Sequence, residues 1–222
     1  MSNPAPVPAR GKIRAVLWDF GGVILTSPFE AFRRYEVANG LPEALIRTIN
    51  ATNPHTNAWA LFERSDVTFD DFCTLFETEA RDMGHPVDAR SIMALLHGDI
   101  RPQMVRALHQ LKQAGFIQGL LTNNVTSATG DGTGTSSRGE VLSIFDAIVE
   151  SSVVGVRKPE PRFYELACEA LGIEPHEAVF LDDLGINLKP AAVMGMRTIK
   201  VIDPDAALRE LEHIVGIPLG GD

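Results

Sequence analysis

The clearest signal of the fold lies in residues 15–25, Ala15-Val-Leu-Trp-Asp-Phe-Gly-Gly-Val-Ile-Leu25. Its apolar residues 15–18 predict a strand that is buried on both faces. The strand ends in a carboxylate, Asp19, with Gly21 and Gly22 close behind it. In open α/β sheets, ligands bind at the carboxyl ends of the strands, because the loops that leave these ends form a crevice. The stretch therefore places Asp19 at an expected ligand-binding edge.

Size and composition describe an ordinary folded protein. The chain has 222 residues, of which 45% are hydrophobic and 22% are charged. A net charge of -9 argues against nucleic acid or an anionic membrane as the partner, because both are bound through clustered Lys and Arg. The two cysteines, Cys73 and Cys168, form neither a metal-ligand spacing nor a disulfide framework. Residues 1–12 read as a loose tail without the apolar stretch of a signal peptide. We expect a cytoplasmic monomer or homodimer.

Only helical patterns occupy the segment that follows the first strand. Ser27 is a candidate cap for a helix that begins at Pro28, and further helices are expected at residues 41–50, 59–63, 68–83 and 87–97. The helix at 68–83 carries an apolar stripe that we interpret as the core of an insert. The stripe consists of Phe69, Phe72, Leu75, Phe76 and Ala80. We therefore predict a helical cap domain at 27–98, inserted into a core domain formed by 1–26 and 99–222.

Strands and helices alternate through the rest of the chain. Strands are expected at residues 116–121, 146–150, 178–181 and 197–201, with helices at 103–114, 162–171 and 187–194. The Ser-, Thr- and Gly-rich residues 126–139 are expected to form a mobile loop. Alternation with apolar strands predicts an α/β fold with a doubly wound parallel sheet.

Polar side chains end three of these strands. Asp19 ends the first, Thr122 and Asn123 follow the second, and Asp182 and Asp183 follow a later one. Each group alone also suits a helix cap or a turn, but their joint order favours one site. Three converging carboxylates need a cation, and an all-oxygen ligand set favours Mg²⁺.

A lysine completes the set of groups needed for phosphoryl transfer. Lys158 lies in a loop that can reach the same edge of the sheet. With Mg²⁺ present, Asp19 could act as an ionised nucleophile, while Lys158 and Thr122 hold the oxygens of the transferring phosphoryl group.

Four motifs in this order resemble the haloacid dehalogenase superfamily. They are Trp18-Asp-Phe-Gly-Gly-Val-Ile24, Leu121-Thr-Asn-Asn124, Lys158-Pro-Glu-Pro161 and Phe180-Leu-Asp-Asp-Leu-Gly-Ile-Asn-Leu-Lys-Pro190. Within that superfamily, the chain is most similar to the phosphatase-like domain of soluble epoxide hydrolase and to the related domain fused to some large acyl-CoA dehydrogenases. The resemblance covers residues 13–215 and implies a Rossmann-type core with a helical cap.

The resemblance also implies roles for individual residues. Asp19 would attack a small phosphorylated metabolite and form an aspartyl-phosphate, and Lys158 would balance the charge. Thr122 and Asn123 would bind phosphate oxygens. The Mg²⁺ site would be formed by Asp19, the Gly21 carbonyl and Asp183, with Asp182 beside them, and Asn187 would contact these ligands rather than the metal.

Gly21 is a departure from the superfamily pattern. Phosphatases of the superfamily usually carry at this position an Asp that protonates the leaving group and later activates water. Gly21 has no side chain that could act as a general acid or base. General acid and base catalysis typically contributes about 10²- to 10⁴-fold to the rate. The leading interpretation is a Mg²⁺-dependent phosphatase. The alternatives are a 2-haloacid dehalogenase, against which the pair Asp182-Asp183 counts, and a catalytically weak binding or regulatory protein.

Overall fold

A five-stranded parallel sheet forms the centre of the molecule. The computed structural model describes residues 12–96, 98–124 and 135–219. The strands are β1 (Ala15–Trp18), β2 (Ile117–Thr122), β3 (Ala147–Glu150), β4 (Ala178–Asp182) and β5 (Arg197–Lys200), in the spatial order β3-β2-β1-β4-β5. This arrangement confirms the predicted doubly wound α/β fold.

The first strand holds the central position because it is apolar on both faces. Trp18 lies opposite Leu120 of β2 and Leu181 of β4, and all four residues of β1 are buried. Alternate side chains enter different cores, with Val16 in one and Leu17 in the other. The end of β1 is therefore fixed between its two neighbouring strands, and Asp19 starts from a rigid position.

Helices cover the sheet and fill the segment between the first two strands. That segment contains α1 (Phe29–Ala38), α2 (Leu45–Ala51), α3 (Ala58–Glu63), α4 (Phe69–Asp82) and α5 (Ala89–Met93). The remaining helices are α6 (Pro102–Gln113), α7 (Thr135–Leu142), α8 (Ser151–Val154), α9 (Pro161–Leu171), α10 (Gly185–Met194) and α11 (Pro204–Val215). No helix in the described ranges is both long and apolar enough to cross a lipid bilayer.

The helical insert, residues 27–96, has an aromatic core of its own. Phe72 stacks on Phe62 with 4.7 Å between ring centroids, and Phe76 follows at 5.6 Å from Phe72. Thr68 and Asp71 form a capping box that fixes the start of α4. The predicted stripe is confirmed at Phe72 and Phe76 but wrong at Leu75, which is 38% exposed.

Two short segments connect the insert to the sheet. Leu25 and Ile100 form an isolated antiparallel bridge, and the Thr26 amide donates to the Asp99 carbonyl over 2.9 Å. These contacts lie beside the predicted boundaries at 26/27 and 98/99. The division into two domains remains a prediction.

Several local expectations differ from the structure. The first helix begins at Phe29, and Ser27 does not cap it, because the Ser27 hydroxyl turns toward Asp183 instead. Residues 126–134 of the expected loop and residues 1–11 of the expected tail at 1–12 lie outside the described residues. Residues 135–139 belong to α7, which continues to buried Val141.

Candidate active site

Asp19 occupies the carboxyl end of β1 and is 8% exposed. One of its oxygens, Oδ1, accepts a hydrogen bond from the Phe20 amide at 2.7 Å and lies 2.8 Å from the ammonium of Lys158. Burial raises the pKa of Asp19, and Asp182 raises it further, whereas Lys158 opposes the shift. The carboxylate is thus oriented by two donors, but its negative charge needs further compensation.

Lys158 joins two carboxylates inside the site. Its Nζ atom lies 2.8 Å from Asp19 Oδ1 and 2.8 Å from Asp182 Oδ2, and the residue is 1% exposed. Burial favours the neutral amine, but the charges of Asp182 and Asp19 outweigh it and raise the pKa of Lys158. The side chain therefore stays an ammonium ion.

Asn123 holds the backbone at Lys158. Its amide nitrogen donates to the Lys158 carbonyl, and its amide oxygen accepts from the Lys158 amide, each over 2.9 Å. The sequence places Asn123 at the site but does not reveal this bond pair, which spans 35 positions of the chain. A side chain expected to bind phosphate thus also positions the lysine.

Asp182 is fully buried and surrounded by donors. Its Oδ1 accepts from the Leu184 amide at 2.8 Å, its Oδ2 accepts from Lys158, and the Asn187 amide lies 3.0 and 3.1 Å from the two oxygens. These contacts account for most of the lone pairs of a carboxylate. Asp182 is arranged to position Lys158 and Asn187, and Asp183 is the more accessible carboxylate.

Asp183 faces the space between the sheet and the insert. The Ser27 hydroxyl donates to its Oδ2 at 3.4 Å, and burial raises the pKa of Asp183 to about 6. Oxygens of Asp19, Asp182 and Asp183 lie within 4.8 Å of one another. Three carboxylates around one ammonium leave excess negative charge, so this oxygen set fits a hard divalent cation.

Gly22 is the residue that lets Asp183 approach β1. Its φ of +79° is unfavourable for residues with a side chain, and a Cβ there would overlap the Asp183 carboxylate. We expect Gly22→Ala to lower the free energy of unfolding by about 1–3 kcal/mol. Gly21→Ala is the control, because a Cβ at Gly21 meets nothing within 4 Å and its φ is -71°. Urea denaturation of both variants measures the difference, and equal losses would contradict this account.

A cavity of about 720 Å³ lies above these residues. Thr122, Asn123 and Gly21 line its floor together with Asp19, Asp183 and Lys158. Apolar side chains of the insert line the opposite part, namely Phe29, Phe32, Trp59, Phe62, Phe69 and Met93. The structure thus brings the predicted strand-end residues Asp19, Thr122, Asn123 and Asp183 together at one opening, while Asp182 lies buried behind it.

The sequence patterns do not predict two further candidate residues of the site, Glu63 and Arg157. Glu63 of the insert lines the cavity, and its Oε2 lies 2.5 Å from Nε of Arg157. Arg157 also donates to the Pro54 carbonyl at 2.8 Å. The two members of the ion pair are 94 positions apart, and only the motif position just before Lys158 draws attention to Arg157.

Fold and site together define a doubly wound α/β protein with a buried carboxylate, Asp19, at the end of its central strand. A family model for haloacid dehalogenase-like hydrolases matches residues 13–195. The chain therefore belongs to the haloacid dehalogenase-like hydrolase family, as its motifs predict.

Two of the relatives are much longer than this chain. Mouse acyl-CoA dehydrogenase family member 10 is 35% identical over 93% of this chain, and pig bifunctional epoxide hydrolase 2 is 33% identical over 93%. The chain spans only 19% and 40% of these two proteins. Sesquiterpene phosphatase astK of Aspergillus oryzae is 26% identical over 91% of this chain and 97% of its own length.

A solved structure shows the same fold. It is a haloacid dehalogenase family enzyme, bt-2542 of Bacteroides thetaiotaomicron, in complex with magnesium and inorganic phosphate. The TM-score is 0.55 and the identity 22%, over 85% of this chain and 93% of that one.

Proposed function

We propose that this chain is a Mg²⁺-dependent phosphatase that cleaves phosphomonoesters through an aspartyl-phosphate at Asp19. The observation that carries the proposal is the contact between Lys158 Nζ and Asp19 Oδ1, next to Asp183 and open to the cavity. A hydrogen-bonded carboxylate beside a fixed ammonium suits attack on a group that carries several negative oxygens. A phosphatase among the relatives and the magnesium and phosphate of bt-2542 support this proposal.

Each residue of the site has a separate role in the proposed hydrolysis. An Asp19 oxygen attacks phosphorus, and the bond from phosphorus to the leaving oxygen breaks. Lys158 and Thr122 stabilise the phosphoryl oxygens. Asp19 and Asp183, with the Gly21 carbonyl, would hold Mg²⁺, which when bound neutralises phosphate charge. Water then cleaves the acyl phosphate and regenerates the Asp19 carboxylate.

The insert favours an apolar leaving group. Its aromatic residues line the cavity above the phosphate site, so we propose that it acts as the cap that selects the substrate. Each further methylene group that is buried should raise kcat/KM about fourfold until the cavity is filled, at about 0.8 kcal/mol per group. Phosphate release from an alkyl phosphate series tests this. If kcat/KM did not change along the series, the proposal that the cavity selects apolar leaving groups would be contradicted.

The experiment that tests the function is phosphate release from 4-nitrophenyl phosphate and hexyl phosphate, with Mg²⁺ and with EDTA. Activity that requires Mg²⁺ is expected. A 2-haloacid dehalogenase is the second candidate, because Gly21 stands where phosphatases of the superfamily usually carry an acidic side chain. Chloride release from 2-chloropropionate without phosphate release would favour it, and metal binding without either activity would favour a binding protein.

Metal binding should be visible in the stability of the protein. Mg²⁺ at about 100 times its Kd should add about 2.7 kcal/mol, which corresponds to a Tm rise of about 5–10 °C. Asp183→Asn should remove most of this rise, whereas Asp70→Asn should keep it because Asp70 is an exposed residue of the insert. Thermal melts with and without Mg²⁺ measure the effect. An undiminished rise in Asp183→Asn would contradict the metal assignment.

A further inference from the structure

Side chains that can exchange a proton near neutral pH are few around the cavity. Among its described lining residues, only Asp19, Asp183 and Glu63 carry a carboxyl group, and none is a histidine, cysteine or tyrosine. The proposed function, on which this inference rests, uses Asp19 as nucleophile and Asp183 as a metal ligand. Glu63 has no role in that scheme, and position 21 has no side chain to supply one.

Glu63 is held where the insert meets the phosphate site. It is the last residue of α3, its side chain is 14% exposed, and it is paired with Arg157 of the segment that leads into Lys158. Glu63 Oε2 and Arg157 Nε are close enough for an ion pair but are not aligned as donor and acceptor, and Asn123 also lies within hydrogen-bond reach of the Glu63 carboxyl group. The carboxyl group therefore lines the same cavity as Asp19 and Lys158 and is held beside Asn123 and Arg157.

The surroundings of Glu63 shift its pKa upward. Burial raises its pKa, and Arg157, Lys158 and Asn123 oppose this shift without cancelling it. These three are the groups that face it from the sheet side. Because the net shift is upward, the carboxyl group can carry a proton closer to neutral pH than an exposed glutamate can.

We propose that Glu63 is the general acid and base of this enzyme, in place of a side chain at position 21. In the first step, the Glu63 carboxyl proton passes to the leaving oxygen as the bond from phosphorus to oxygen breaks, and an alcohol departs. In the second step, the Glu63 carboxylate takes a proton from the water that attacks the aspartyl-phosphate. Phosphate leaves, and the original protonation state returns.

Leaving-group dependence tests this role, because kcat/KM reports the steps up to departure of the alcohol. Glu63→Gln should lower kcat/KM for hexyl phosphate by about 10²- to 10⁴-fold and leave that for 4-nitrophenyl phosphate, whose leaving group needs no proton, nearly unchanged. With the activated ester, the variant should also release a burst of one nitrophenol per enzyme, since the second step lacks its base. Glu79→Gln is the control, because Glu79 is a partly buried carboxylate of the insert that accepts from the Ala58 amide and does not line the cavity.

A second variant separates chemistry from structure. Gly21 has an ordinary extended backbone and free space at its Cβ position, so Gly21→Asp should restore hydrolysis of hexyl phosphate in the Glu63→Gln background. Equal losses on both esters without rescue would show that Glu63 only holds Arg157, and unchanged activity on both would also overturn the proposal. If the parent hydrolyses neither ester, the proposed function itself fails.

Discussion

Asp19→Asn is expected to lower phosphate release by at least about 10⁴-fold, equivalent to about 5.5 kcal/mol of transition-state stabilisation. The amide is nearly the same size as the carboxylate, but its oxygen is a poor nucleophile. The variant should remain folded, because the neighbouring donors are the Phe20 amide and Lys158, and an amide oxygen accepts from both. Loss of activity would therefore reflect chemistry and not unfolding.

The proposed covalent intermediate can be measured directly. Acid quenching of the parent with ³²P-labelled substrate should leave hydroxylamine-sensitive label on the protein, and Asp19→Asn should carry none. Asp146→Asn is the matched control, since Asp146 precedes β3 at the opposite edge of the sheet and pairs with Lys112. Label retained by Asp19→Asn would assign the nucleophile to another residue.

The sheet could be predicted from the sequence because its signals are local. Residues 15–18 and 178–181 are short apolar runs that end in carboxylates, and the structure confirms both as central strands. The first and last residues of the helices are harder to predict from the sequence. The second helix begins at Leu45 and not at residue 41, because Glu36 accepts hydrogen bonds from the amides of Ala44 and Ile46 and shapes the turn before it.

The site could be predicted as a set of residues but not as a network. Parallel strands bring Asp19, Thr122 and Asp182 to one edge whatever their loops do, so their proximity follows from the fold. The bonds between loops do not. Asn123 is hydrogen-bonded to the backbone of Lys158, and Glu63 is paired with Arg157. Both contacts depend on how distant segments pack, which the periodicity of the sequence does not encode.

Lys158→Met is expected to be the most destabilising of the substitutions considered, at about 3–5 kcal/mol in the metal-free protein. Methionine fills a similar volume but leaves Asp19 and Asp182 buried without their cation. Activity should fall by at least about 10²- to 10³-fold, because the phosphoryl oxygens lose a donor. Urea denaturation and phosphate release measure the two effects.

The burial of the lysine, and not its distance from the carboxylate, should decide how much stability is lost when it is replaced. Lys112 lies 2.6 Å from Asp146, closer than Lys158 lies to Asp19, but its side chain is 42% exposed. Lys112→Met should therefore cost less than about 1 kcal/mol. Similar losses from the two lysine substitutions would mean that solvent screens the Lys158 pairs.

The repulsion between the two carboxylates can be tested separately. If uncompensated charge causes the loss of stability in Lys158→Met, adding Asp19→Asn should recover part of that stability. The reason is that the double variant buries one carboxylate fewer. If the lost volume or hydrogen bonds of the lysine cause it, the second substitution should recover nothing. Recovery would also support the proposed Mg²⁺ site, because a cation bound there would relieve the charge that the lysine leaves unbalanced.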